Sequence, residues 1–155
     1  MNFTMEMAKT NFFDPKAFVA PVDKAKRKIL NEFGAYCRTV AKSSIKTKPA
    51  GQHAPAGQAP FGHEGKTRYK DFIFYFYDAA KDEVVIGAVL LPRKDRTRVP
   101  GALEHGGEVE ITRRVNGVLT KETILQDARP HMQPAFDKTV EKKLGKLIEN
   151  SIVKE

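Results

Sequence analysis

The residues best able to move a proton or hold a metal near neutral pH are the four histidines, at positions 53, 63, 105 and 131. Their positions match no metal-ligand spacing. His53 and His63 lie in a Gly/Pro-rich stretch that offers no rigid scaffold for a site. Only His105 adjoins an acid, in Leu103-Glu104-His105-Gly106-Gly107. A general acid–base pair there would need a convergent third group and a concave pocket, and neither is expected. The expected reading is a loop whose glycines take unusual backbone angles and whose polar groups act as caps. No serine stands in a nucleophile elbow, and Gly101, Gly106 and Gly107 do not form a phosphate loop. Asp78, Asp82 and Glu83 are too closely spaced for a calcium loop and suit a solvated hairpin tip. Cys37 is the sole cysteine, which rules out an internal disulfide and a Cys-rich metal site. It reads as a small apolar residue at a helix–helix contact. No catalytic residue, metal or cofactor is expected.

Charge is the stronger signal. Lys and Arg number 27 against 19 Asp and Glu, a formal net charge of +8. That balance favours acidic partners such as nucleic acid or an acidic protein surface. Lys66 and Arg68 precede an aromatic-rich strand, while Arg93, Lys94, Arg96 and Arg98 crowd one connection. They are the candidate patch for an acidic partner or for lining a channel through which DNA passes. Aromatics beside basic residues also allow the alternative of a sequence-independent nucleic-acid-binding module. For stacking, those aromatics must share one exposed face. No apolar run is long enough for a membrane span, and the N-terminus lacks a signal-peptide pattern, so a cytoplasmic setting is expected.

The elements that must position these groups follow from periodicity. Residues 1–20 form an aromatic-rich arm in which Phe3, Phe12, Phe13 and Phe18 keep no sustained period and are candidate contacts docking on this subunit or on a neighbour. Asp14-Pro15 can open a short helical turn there. From Pro21 to Lys42, Val22, Ala25, Ile29, Phe33, Tyr36 and Val40 share one helical face. Gly34 within that helix signals a close packing contact. Residues 43–70 read as a flexible loop, dense in Gly, Pro and Ala, and its Pro55, Pro60 and Phe61 are candidate contacts with a partner. Strands are expected at 72–77, 84–91, 109–115 and 118–124, the last two joined by an Asn116-Gly117 turn. After Ala128-Arg129-Pro130, the residues Met132, Phe136, Val140, Leu144 and Ile148 trace a closing helix. The expected architecture is α+β: residues 21–155 form one domain with a long helix, an antiparallel sheet of about four strands, and a C-terminal helix on that sheet.

Three stretches together carry a resemblance. Residues 50–60, Ala-Gly-Gln-His-Ala-Pro-Ala-Gly-Gln-Ala-Pro, resemble the loop of small residues, Pro and Gly after the first helix in a family of tailed-phage proteins. Leu103-Glu104-His105-Gly106-Gly107 resembles its Glu-Phe-Gly turn. Ala128-Arg129-Pro130-His131-Met132-Gln133-Pro134-Ala135-Phe136 resembles its closing Ala-Arg-Pro-Phe segment, with histidine where an aromatic is usual. The family is the head–tail joining and tail-completion proteins of long-tailed phages and prophages. The resemblance implies a non-enzymatic structural subunit of the virion neck, assembled in the host cytoplasm. It would form a homo-oligomeric ring around the DNA channel and meet connector and tail-tube proteins. Portal adaptor, completion protein and tail terminator all stay open. Arg129 is then expected to pair with a carboxylate or cap carbonyls. Pro130 and Pro134 would fix the helix entry, and Phe136 would enter the core. Glu104, Gly106 and Gly107 belong to the same structural motif.

Overall fold

The computed structural model describes residues 15–63, 69–88, 99–115 and 117–152. Helix α1 spans Pro15–Ser44, so the turn expected at Pro15 and the helix expected from Pro21 are one element. Near its start Val19 and Val22 are about half exposed. Phe33, Cys37 and Ala41 recur every four residues and are buried, and Ile45 extends their row past the helix end. Gly34 is the close approach that its position signalled. A Cβ there would stand 2.7 Å from both Tyr75 and Val84, so those side chains rest directly on the helix backbone.

The partners of that face are two. Strands β3 (Ile73–Asp78) and β4 (Glu83–Ala88) pair antiparallel on one side of α1. The closing helix packs on α1 around the same buried cluster. It runs through α3 (Met132–Thr139), a π-helical turn (Val140–Leu144) and α4 (Gly145–Ile152). Ile73 and Ala135 complete the buried cluster, with Val84, Ile86, Met132, Leu144 and Leu147 packed around it. Ile73 is fully covered, and burying such a side chain contributes about 1.5–3 kcal/mol. The C-terminal helix thus packs chiefly on α1, not on a sheet as expected. Cys37 sits at this helix–helix contact beside Thr139, and burial pushes its thiol pKa up. The Thr139 hydroxyl donates to the Ala135 carbonyl at 2.6 Å.

The four-stranded sheet is also corrected. Among the described residues the strands form three separate two-stranded ladders. Strands β1 (Thr47–Lys48) and β2 (Gly62–His63) pair in parallel and close the Gly/Pro-rich loop at its base. Strands β5 (Gly107–Val115) and β6 (Val118–Gln126) form a long hairpin, turning at Gly117 with φ 85°. Between β4 and β5 the short helix α2 (Val99–His105) intervenes, so residues 103–105, expected as loop, are helical. The Arg38 Nε–H donates to the Ile73 carbonyl at 2.9 Å, tying α1 to the start of β3.

Candidate functional site

The polar centre of the molecule forms where α2 meets the start of α3. The first N–H groups of a helix have no partner within it and seek an outside acceptor. Here the acceptor comes from a distant residue. The Glu104 carboxylate accepts the N–H groups of His131 and Met132 through Oε2, both at 3.0 Å, and of Gln133 through Oε1 at 2.8 Å. A carboxylate also suits the positive end of the helix dipole. The His131 ring, almost fully buried, places Nδ1 3.1 Å from Glu104 Oε2 and 3.2 Å from the Arg129 carbonyl. Its Nε2 lies 3.0 Å from the Tyr69 hydroxyl.

These contacts assign the protons. Burial lowers the His131 pKa against the opposing pull of the Arg129 carbonyl and of Glu104, so the ring is neutral at pH 7. Nδ1–H then donates toward Arg129 and Glu104, and Nε2 accepts from Tyr69. Burial, with the nearby Glu104 charge, pushes the Tyr69 hydroxyl up to about 12, so it keeps its proton. Burial alone would raise the Glu104 carboxyl, but the three N–H donors and His131 outweigh it and hold the group low. The series Tyr69–His131–Glu104 copies the connectivity of a nucleophile–base–orienter relay. Its chemistry runs the other way. The carboxylate is spent on a helix terminus, the base is enclosed, and the hydroxyl is held protonated. The arrangement works as a latch.

The latch continues into the loop. Arg129 Nε–H donates to the Ala54 carbonyl at 3.0 Å, and its backbone N–H donates to the Leu103 carbonyl at 2.6 Å. Gly57 N–H donates to the Ala128 carbonyl at 2.8 Å. Arg129 therefore caps a carbonyl, one of the two roles the resemblance implied. Ala54 and Pro60 are buried, Pro55 is exposed, and Phe61 is half-buried with the Lys48 ammonium 5.9 Å from its ring centre. The part of the loop expected to find its contacts on a neighbour finds several on its own chain. Gly106, at φ 71°, ends α2 by donating to the Ala102 carbonyl at 2.9 Å. A Cβ there would stand 2.8 Å from the Ala128 nitrogen, so the turn admits only glycine. Gly107 also lies at positive φ, 109°.

Pro130 is half-buried beside the latch, and Pro134 occupies the first turn of α3, where proline is tolerated. Phe136 is a correction. Its ring is 44% exposed and meets Phe33 edge-on at 5.5 Å, so it covers the core without entering it. A cleft of about 480 Å³ does lie beside Glu104 and His105, against expectation. Val84, Val85, Ile86, Met132 and Phe136 make much of its wall, and Glu83 and Gln133 line it with Glu104 and His105. Phe3, Phe12, Phe13, Lys66, Arg68, Arg93, Lys94, Arg96 and Arg98 lie outside the described residues, as does the side chain of Phe18. The sequence reading missed His131 and Tyr69 as partners. The histidine standing in place of an aromatic within Ala128-Arg129-Pro130-His131 was the available signal.

Two outer surfaces remain. On β3–β4, Phe74 and Phe76 point away from α1 and are 46% and 67% exposed, with Val85 beside Phe76. The Arg38 guanidinium stands 5.6 Å from the Phe74 ring centre. On β5–β6, Val118 and Leu119 are each 66% exposed and Leu125 is 80% exposed. Among the described residues no group of His, Cys, Asp and Glu could hold a metal, and no helix is long and apolar enough to cross a membrane. No family model, no curated protein and no solved structure matches the chain.

Proposed function

We propose that the chain is a non-catalytic building block of the neck of a long-tailed phage, a head–tail joining or tail-completion subunit that works within a ring around the DNA channel. The observation that carries this reading is the β5–β6 hairpin. It is nine residues long on each strand, it pairs with no third strand among the described residues, and it leaves Val118, Leu119 and Leu125 in water. A two-stranded hairpin is marginal by itself and gains stability when another surface covers it. The closed loop at 49–63 does not add to this support, because its contacts are internal. The latch supports the non-catalytic part, since each of its polar groups is committed to holding elements together.

The neck reading is tested by native mass spectrometry and electron microscopy of the purified full chain, alone and with portal, connector and tail-tube components. Rings, or incorporation at the head–tail junction, are expected. A chain that stays monomeric in every mixture refutes the reading.

The nucleic-acid-binding alternative has one observation in its favour: Phe74 and Phe76 share one exposed face with Arg38 beside them. Against it, Asp78 and Glu83 stand on that same face and would repel phosphates. Salt-dependent anisotropy with a single-stranded oligonucleotide separates the two. Micromolar binding by the isolated chain would favour the alternative.

A further inference from the structure

The two uncovered surfaces carry the same pattern in opposite sense. Residues directly opposite in an antiparallel ladder point to one side. The outer face of β3–β4 therefore runs from Asp78, which accepts two turn N–H groups, and Glu83, with Lys81 3.7 Å away, through Phe76 and Val85, to Phe74 with Arg38 beside it. Its order is acid, apolar, base. One face of β5–β6 is exposed along its whole length. It runs from Arg114 and Leu119 near the tip, past Thr112 and Lys121, then Glu110 and Thr123, to Glu108 and Leu125 at the base, with Lys121 paired to Glu110 at 2.8 Å in its middle. Its ends are basic and acidic, each with a leucine. Four strand steps separate Phe74 from Asp78 and six separate Glu108 from Arg114, about 13 and 20 Å, and Arg38 extends the shorter face.

We propose that the β5–β6 hairpin of one copy lies on the outer β3–β4 face of a second copy. Arg114 and Leu119 meet Asp78, Glu83, Phe76 and Val85, while Leu125 and Glu108 meet Phe74 and Arg38. This rests on the assembly reading above and supplies its contact. Both surfaces are open within one copy, so they do not cover each other inside a single chain. A second copy brings the opposite order of charge, whereas nucleic acid would meet the acids of Asp78 and Glu83. The two surfaces differ, so the contact is head-to-tail, and its repetition closes a ring when the rotation closes.

The test uses the full chain with Leu119→Cys and Phe76→Cys. Cys37 is buried and serves as background in the wild-type control. Under mild oxidation, a mixture of the two single variants is expected to give a crosslinked pair, and the double variant a ladder of multimers. Each single variant alone is expected to crosslink about ten-fold less, as is Leu119→Cys mixed with Phe74→Cys from the other end of the face. Arg114→Glu is expected to weaken self-association about ten-fold, and adding Glu83→Arg to restore it. Circular dichroism confirms that each variant folds, and the charge pair tests the contact without any cysteine.

Rings of wild-type chain without the Leu119–Phe76 crosslink would overturn this contact and leave the assembly reading standing. Single variants that crosslink to themselves as well as to each other would overturn the head-to-tail geometry. Protection of the Phe76→Cys thiol from alkylation by an oligonucleotide, and not by added chain, would assign the face to nucleic acid. A wild-type chain that remains monomeric, with no crosslink, would remove both readings together.

Discussion

Glu104→Ala removes the outside acceptor from three consecutive N–H groups at the start of α3. It also removes the carboxylate beside the buried His131 ring. The Glu104 side chain is 12% exposed, so water does little to replace these bonds until the site opens. Loss of an ordinary helix cap costs about 0.5–2 kcal/mol. A hydrogen bond to a charged group contributes about 1.5–3 kcal/mol. Gln133 is exposed and its N–H can rehydrate, so the three bonds do not sum in full. The expected loss is about 3 kcal/mol, or roughly 6–12 °C in Tm for a chain of this size. Glu104→Gln keeps one oxygen and should lose about half as much. Urea unfolding at pH 7, followed by circular dichroism, measures both. Hydrogen exchange at residues 131–133 should accelerate in the alanine variant. A Glu104→Ala loss below about 0.5 kcal/mol, with exchange unchanged, would refute the claim that this carboxylate holds the helix entry.

The same contacts set the response to acid. His131 has a lowered pKa in the fold, so the unfolded chain binds its proton more readily, and stability should fall as pH drops below about 6.5. Glu104 is also lowered, so its contribution is complete above about 4.5 and declines below that as the carboxylate protonates. A stability–pH curve should therefore descend in two stages, and His131→Phe should remove the upper one. Phe136→Ala should cost only about 1–2 kcal/mol because the ring is partly exposed, against about 2–5 kcal/mol for Ile73→Ala; equal losses in urea melts would contradict the packing described. Gly106→Ala combines a positive φ with contact below 3.0 Å to the backbone of residue 128, and should cost at least about 2 kcal/mol, whereas a neutral result would show that the turn can relax.

Most elements were legible because their signals are local. The four-residue recurrence of apolar side chains marked α1 and the closing helix, although the buried row is Phe33, Cys37 and Ala41, not the full stripe from Val22. Aromatic residues on both faces mark β3 and suit a strand covered on both sides, yet Phe74 and Phe76 are exposed; Gly117 at positive φ fits the turn expected between β5 and β6, and Asn116 lies outside the described residues. Residues 103–105 carry a loop signal because two glycines follow them, yet they end the seven-residue helix α2, about two turns long, which Gly106 stops.

The amino-acid sequence by itself determined the α+β character of the chain, the existence of its long first helix, its closing helix and its two antiparallel hairpins, and the single cysteine at a helix contact. Each depends on neighbours a few residues apart, whose spacing sets which side chains share a face. Only the tertiary structure decided that Glu104 caps a helix beginning 28 residues later, and that Arg129 reaches a carbonyl 75 residues away. It alone turned Phe74 and Phe76 outward together, because the opposite face of their strand is taken by the backbone of α1 at Gly34. Partners so distant in the chain leave no periodic trace, since what joins them is the packing of whole elements.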